Sequence, residues 1–222
     1  RLVEYEDYMM RVMRDAGVPC ALPYGFVEIT PEREYLIVTE FLDGAKEISE
    51  VEITDDQIDE GLAVIRNLWD AGLAHRDLKP ANIMVRDGHV VLIDVAFGQV
   101  RPSPWRQAVD LANMMLVLAL SSDPERVYER ALGYFSPNDI AEAFAASQSI
   151  SIPSQTRSLL RVHRRDSRVD LIESFRSMAP KRERISIQRW SRRRVGMTAI
   201  TVLAILMLVS FVWDNLSGAG FI

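Results

Sequence analysis

Four side chains in the segment "AHRDLKPANIMVRDGHVVLIDVAFG", residues 74–98, have the types and spacing to move a phosphoryl group: Asp77, Lys79, Asn82 and Asp94. A loop carboxylate such as Asp77 can accept the proton of an attacking hydroxyl or orient that hydroxyl. Lys79, two residues on, can neutralise charge on the group in flight. Asn82 and Asp94 add a carboxamide and a carboxylate, hard oxygen donors suited to Mg²⁺, which takes one or two protein groups and completes its octahedron with water and phosphate. Phosphoryl transfer asks little covalent chemistry of a protein; position and positive charge carry it.

What must position these groups is a hairpin. Residues 83–85 and 90–93 are short apolar, β-branched runs, and Asp87-Gly88 between them is a strong two-residue turn signal. Pairing about that turn brings Asn82 and Asp94 to the same end of the ribbon within one residue of register.

Around the hairpin the periodicities predict further elements. Leu2, Tyr5, Met9, Val12, Met13 and Ala16 recur at helical spacing until Gly17 and Pro19 stop the pattern. "YGFVEITPEREYLIVTEFLDG" reads as two strands joined by a turn at Thr30-Pro31, the second running over 35–41. Residues 55–71 return to helical spacing and end at Gly72. Downstream the chain is helical over 105–120, 124–132 and 137–146, with Ser136-Pro137 as N-cap and first helical residue. "SIPSQTRSLLRV" and "RVDLIESFRSMA" predict two more helices, both basic. A small sheet element ahead of a mainly helical body is an α+β pattern.

"HRDLKPAN", His75 to Asn82, resembles the catalytic loop of eukaryotic-type serine/threonine protein kinases. The resemblance implies Asp77 as catalytic base, Lys79 as phosphate-contacting lysine, Asn82 as a metal ligand and Asp94 as the main metal-binding aspartate. His75 would pack beneath the loop and Arg76 would brace it. Glu6 on the first helix resembles the glutamate that pairs with the strand lysine of kinases, with Glu4 as its rival. "LIVTEFLDG" resembles the last N-lobe strand and hinge, with Thr39 as gatekeeper and the backbone of Glu40, Phe41 and Leu42 placed to bond adenine. Asp110 resembles the buried aspartate that holds the catalytic loop. The implied fold is protein kinase-like, a partial N-lobe plus a helical C-lobe, and the implied cofactors are ATP and Mg²⁺.

The pattern also departs from that family. Asp94 is followed by Val95-Ala96, and Phe97 of Phe97-Gly98 comes three residues after Asp94, too far for the family pattern. The fifteen residues between Asp94 and Asp110 are too few for an activation segment, which is closer to RIO-type and other atypical bacterial kinases, or to small-molecule phosphotransferases. A glycine-rich loop and strand lysine should precede the first helix, and Lys46, the lysine before the catalytic loop, follows the hinge. An N-terminally truncated, bacterial-style kinase is therefore expected, with residues 1–150 as its domain.

Charge divides the chain. Residues 157–194, opening at Arg157 and closing at Arg194, hold thirteen Lys and Arg against four acidic residues, whereas the stretch before them holds thirteen basic and twenty-six acidic. Such asymmetry points to an anionic membrane surface as partner. Residues 195–213 form an uncharged run of nineteen, about 29 Å as a helix and long enough to span a bilayer. Arginines before it and Trp213 at its end predict a transmembrane helix with the kinase-like domain on the cytoplasmic side of the cell membrane. The expected layout is a basic juxtamembrane region over 151–194, the span, and an extracytoplasmic tail or loop over 214–222. The lone cysteine, Cys20, excludes an intrachain disulfide.

The expected activity is ATP-dependent phosphorylation of a protein hydroxyl, since Lys79 matches Ser/Thr kinases. A pseudokinase scaffold that binds nucleotide, or a kinase of a lipid or small-molecule substrate, are the alternatives. ATP is the expected small-molecule partner, and no nucleic acid is expected.

Overall fold

Helix α1 (Leu2–Asp15) buries Met9, Met10 and Met13 and leaves Leu2 and Tyr5 outside, because a single stripe of its surface meets the rest of the molecule. The computed structural model describes residues 2–30, 34–147, 151–182, 200, 201, 203–207 and 210. Strands β1 (Pro23–Glu28) and β2 (Tyr35–Thr39) pair antiparallel, Glu28 opposite Tyr35 and Pro23 opposite Thr39. The second strand stops at Thr39, two residues short of expectation, and Glu40 instead donates its N–H to the Leu22 carbonyl. Helix α1 packs against this ribbon.

Strand β3 (Lys46–Glu47) precedes helix α2 (Asp55–Asp70), whose start is set by a capping box between Thr54 and Gln57. Then come β4 (Leu73–Ala74), β5 (Ile83–Arg86), β6 (His89–Leu92) and β7 (Gln99–Val100). The hairpin β5–β6 has the expected register, Arg86 opposite His89 and Ile83 opposite Leu92. Asp87 at φ 52° and Gly88 at φ 86° both lie in the left-handed region, as a tight primed turn requires. Strand β3 adds to the outer edge of β5, and β4 pairs with β7. These two-residue strands carry too little pattern to be foreseen.

Helix α3 (Pro104–Leu120) is buried continuously from Ala108 to Ala119. It is the axis of the core: α2, α4 (Pro124–Ala131), α5 (Pro137–Ala146), α6 (Ser154–Ser167) and α7 (Leu171–Met178) all pack on it. Each of its buried Leu, Met and Val side chains contributes about 1.5–3 kcal/mol over exposure. Helices α6 and α7, in the stretch expected to be juxtamembrane, are part of this body. Phe175 of α7 stacks on Phe144 of α5 at 4.7 Å between ring centres, and residues 1–184 form one compact unit.

Residues 185–222 form a second unit. Its described residues, 200, 201, 203–207 and 210, are helical with exposed side chains. No helix among the described residues is long and apolar enough to cross a membrane. Most of the expected span over 195–213, and all of the expected tail over 214–222, lie outside the described residues.

Candidate active site

The loop that carries Asp77 is held from below by α3. Asp110, 1% exposed, accepts the backbone N–H of His75 at 2.6 Å and that of Arg76 at 3.0 Å. Arg76 adopts φ 70°, so the chain turns sharply just before Asp77. Burial raises the Asp110 carboxyl to about 7 even though both backbone donors favour the anion. His75 is wholly buried, and burial lowers it to about 4, too far for the charges of Asp77 and Asp94 to restore. A neutral ring therefore fills the space beneath the loop, and the expectations for His75 and Asp110 both hold.

Above this support, three site residues meet directly. Lys79 Nζ donates to Asp77 Oδ2 at 2.6 Å, and Asn82 Nδ2 donates to the same oxygen at 3.0 Å and to the Asp77 carbonyl at 2.9 Å. Asn82 is 3% exposed. Committing its amide nitrogen to Asp77 leaves Oδ1 as the atom that could meet a cation. The Asn82 carbonyl accepts the N–H of Ile93 at 3.0 Å, which places Asp94 one residue beyond direct register with Asn82. Asp94 itself stands at φ 56°, exposed, and no hydrogen bond or ion pair among the described residues engages its carboxylate.

The hairpin is clamped at its far end by α2. Gln57 Nε2 donates to the Gly88 carbonyl at 3.0 Å, and Glu60 accepts the N–H of Val90 at 2.8 Å. The relative placement of Asn82 and Asp94 thus rests on a local turn and on a distant helix.

A cavity of about 470 Å³ gathers Glu6, Thr39, Glu40, Phe41, Leu42 and Asp94, with Ile37 and Met84 on its apolar wall. Asp77, Lys79 and Asn82 are not among its walls; they adjoin it through Ile93 and Asp94. Glu6 is half-buried in the cavity and Glu4 is exposed on the helix surface, so Glu6 is the glutamate facing the site. Its carboxyl is raised above the ordinary range, first by burial and then by the charge of Asp94. Two carboxylates that repel across one cavity suit a cation, and Asp94 with the Asn82 amide oxygen supplies the hard donors that Mg²⁺ takes.

The Glu40 side chain is occupied. Arg86 donates to it at 2.8 Å and the Leu22 N–H at 3.2 Å, and Arg86 holds the carboxyl below its usual range. With the Glu40 N–H given to Leu22, the Glu40 carbonyl, the Phe41 N–H and carbonyl and the Leu42 N–H are hinge groups without a backbone partner among the described residues.

The departure after Asp94 has a packing explanation. Val95, 1% exposed, belongs to the same core as Met9 and Met13, whereas Phe97 is 58% exposed. A Cβ on Gly98 would lie 2.7 Å from Met9 Cε and 2.9 Å from the Val95 carbonyl. Tyr5 on α1 donates its hydroxyl to the Gly98 carbonyl at 2.9 Å. Helix α1, which carries Glu6, is thereby seated on the segment that carries Asp94.

One contact had no sequence signal. Gln155, in the first turn of α6, accepts the Ala81 N–H at 3.1 Å and donates to Glu47 at 3.0 Å, tying α6 to the loop between Lys79 and Asn82.

A strand-lined cavity over a helical body, with an Asp-Lys-Asn loop and a left-handed aspartate at its mouth, defines a protein of the kinase-like class. The sequence profile of the lipopolysaccharide kinase (Kdo/WaaP) family matches residues 4–135, more than half of the chain, and the chain belongs to that family. The match runs from α1 past α4 and covers Glu6, the hinge, the Asp77 loop, Asp94 and Asp110. The chain is accordingly a kinase by family, a phosphotransferase. No curated protein matches it.

Proposed function

We propose that this protein transfers the γ-phosphoryl group of ATP to an alcohol hydroxyl of a membrane-associated glycolipid. The observation that carries the reading is the Asp77 carboxylate, held between Lys79 at 2.6 Å and the Asn82 amide at 3.0 Å, one hairpin end from Asp94. Adenine would lie against Ile37 and Met84 and bond the Glu40 carbonyl and the Leu42 N–H. Asn82 and Asp94 would hold Mg²⁺, which supplies charge neutralisation for the phosphates.

Asp77 orients the acceptor hydroxyl and takes its proton as the oxygen attacks the γ-phosphorus; the bond to the β-phosphate oxygen breaks and ADP leaves. Lys79 stays with the transferring group and offsets its charge. The glycolipid acceptor is favoured by the family description and by the short link from Asp94 to α3, nine residues, which leaves little chain for a peptide platform. The basic stretch and apolar run toward the C-terminus favour work at the cytoplasmic face of a cell membrane.

A second reading, a protein hydroxyl as acceptor, is favoured by Lys79, which stands where Ser/Thr protein kinases carry a lysine. The test is transfer of label from γ-labelled ATP by the full-length protein in its membranes, with Asp77→Ala and Asp94→Ala as controls. Label extracted with the lipids, and lost in both variants, supports the glycolipid; label in protein supports the second reading. ATP bound without transfer to either fraction overturns both and leaves a nucleotide-binding scaffold.

A further inference from the structure

Outside the site, a strongly basic concavity lies between α6, α7 and the end of α5, a cavity of about 830 Å³. Arg157, Arg161 and Arg164 recur at i, i+4 and i+7 along one face of α6 and line it, and Arg176 enters from α7. The acid in the wall, Asp170, is engaged: its Oδ1 caps α7 through the N–H groups of Ile172 and Glu173, and its Oδ2 pairs with Arg164 at 3.1 Å. Arg161 bonds two neutral oxygens, the Arg157 carbonyl and the Ser158 hydroxyl, both at 3.3 Å. Arg176 is fixed in place by the carbonyls of Phe144 at 3.1 Å and Ser147 at 3.2 Å.

A second observation comes from the wall itself. Ser147, 1% exposed, lines the cavity, and its hydroxyl has no hydrogen-bond partner among the described residues. A buried hydroxyl without a partner costs free energy. Four arginines lining one cavity match the oxygens of a phosphate, which accept several charge-assisted hydrogen bonds at once.

We propose that this cavity is a binding site for a phosphomonoester, presented either by an anionic lipid headgroup or by a soluble phosphorylated molecule. It is separate from the nucleotide cavity, and its wall includes Ser154, next to the Gln155 that bonds the Ala81 N–H.

The test uses the full-length chain in nonionic detergent, without ATP, titrated calorimetrically with dihexanoylphosphatidic acid and with glycerol 3-phosphate. Arg157→Gln and Arg161→Gln alter exposed side chains of α6. Each weakens binding about tenfold, the loss of one charge-assisted donor group, while Arg161→Lys retains more of it. Arg165→Gln, on a residue paired with Asp166 and absent from the wall, leaves binding unchanged. Tighter binding of the lipid with the same arginine dependence identifies a headgroup as the source; equal binding of the two probes identifies a soluble phosphate. Binding of neither probe, or equal loss in Arg161→Gln and Arg165→Gln, overturns the site.

Discussion

Asp110 Oδ2 accepts the backbone N–H of His75 at 2.6 Å, joining two buried groups 35 residues apart whose protonation is displaced in opposite senses. His75, ordinarily at 6.5, is lowered to about 4 in the fold, so it contributes stability above 6.5 that is lost as pH falls toward 4. Asp110, ordinarily at 3.8, is raised to about 7, so its contribution is present below 3.8 and is lost as pH rises through 7. Between about pH 4 and 6.5 the two slopes oppose each other. Asp110→Asn removes one of them, and its thermal midpoint is expected to climb with pH across that window more steeply than in wild type. Parallel profiles for the two proteins would count against this account of the loop's support.

Asn82 positions Asp77 through its amide nitrogen, and in the proposed function its amide oxygen would meet a cation. Asn82→Ala is expected to lower phosphoryl transfer by about 100-fold, the scale of losing one preorganised polar group at a reacting centre. It should also raise the magnesium concentration needed for half-maximal rate. A variant with a reduced rate and unaltered magnesium dependence would confine Asn82 to holding Asp77.

Gly98 lies under α1 where no side chain fits without displacing Met9 or the Val95 carbonyl. Gly98→Ala should cost about 1–3 kcal/mol, the range for overpacking a filled core, measured as a lowered urea midpoint. Because Tyr5 reaches the Gly98 carbonyl, the shift should also move Glu6 relative to Asp94 and weaken ATP binding. Stability equal to wild type would show that α1 is less closely seated than these distances indicate.

Gln155 ties α6 to the loop between Lys79 and Asn82 through Ala81. Gln155→Ala removes that acceptor and the bond to Glu47, at a cost of about 1–3 kcal/mol if the Ala81 N–H stays dry. Hydrogen exchange at Ala81 should accelerate more than exchange in α3. Uniform acceleration across the core would instead indicate global destabilisation.

Much of the site could be read from the chain because its parts are close in sequence. The Asp77-Lys79-Asn82 spacing lies on one loop, and the Asp87-Gly88 turn with its flanking period-two runs sets which residues face each other across the hairpin. Helices α1 to α7 were likewise carried by local periodicity and by signals such as Ser136-Pro137. The family profile agrees with the kinase-like resemblance of those residues, while the expected membrane span lies largely beyond the described residues.

Tertiary structure decided the rest. Which glutamate of α1 faces the cavity, the capture of the Glu40 side chain by Arg86, the pairing of Leu73–Ala74 with Gln99–Val100, and the reach of Gln155 to Ala81 all join segments far apart in the chain. Two residues are too short to show a period, and one polar side chain on a helix carries no sign of its partner. Such contacts form because α3 and the helices packed on it bring their backbones within hydrogen-bonding distance. Local residue chemistry thus determined which groups could react, and packing about a buried helix determined which of them meet.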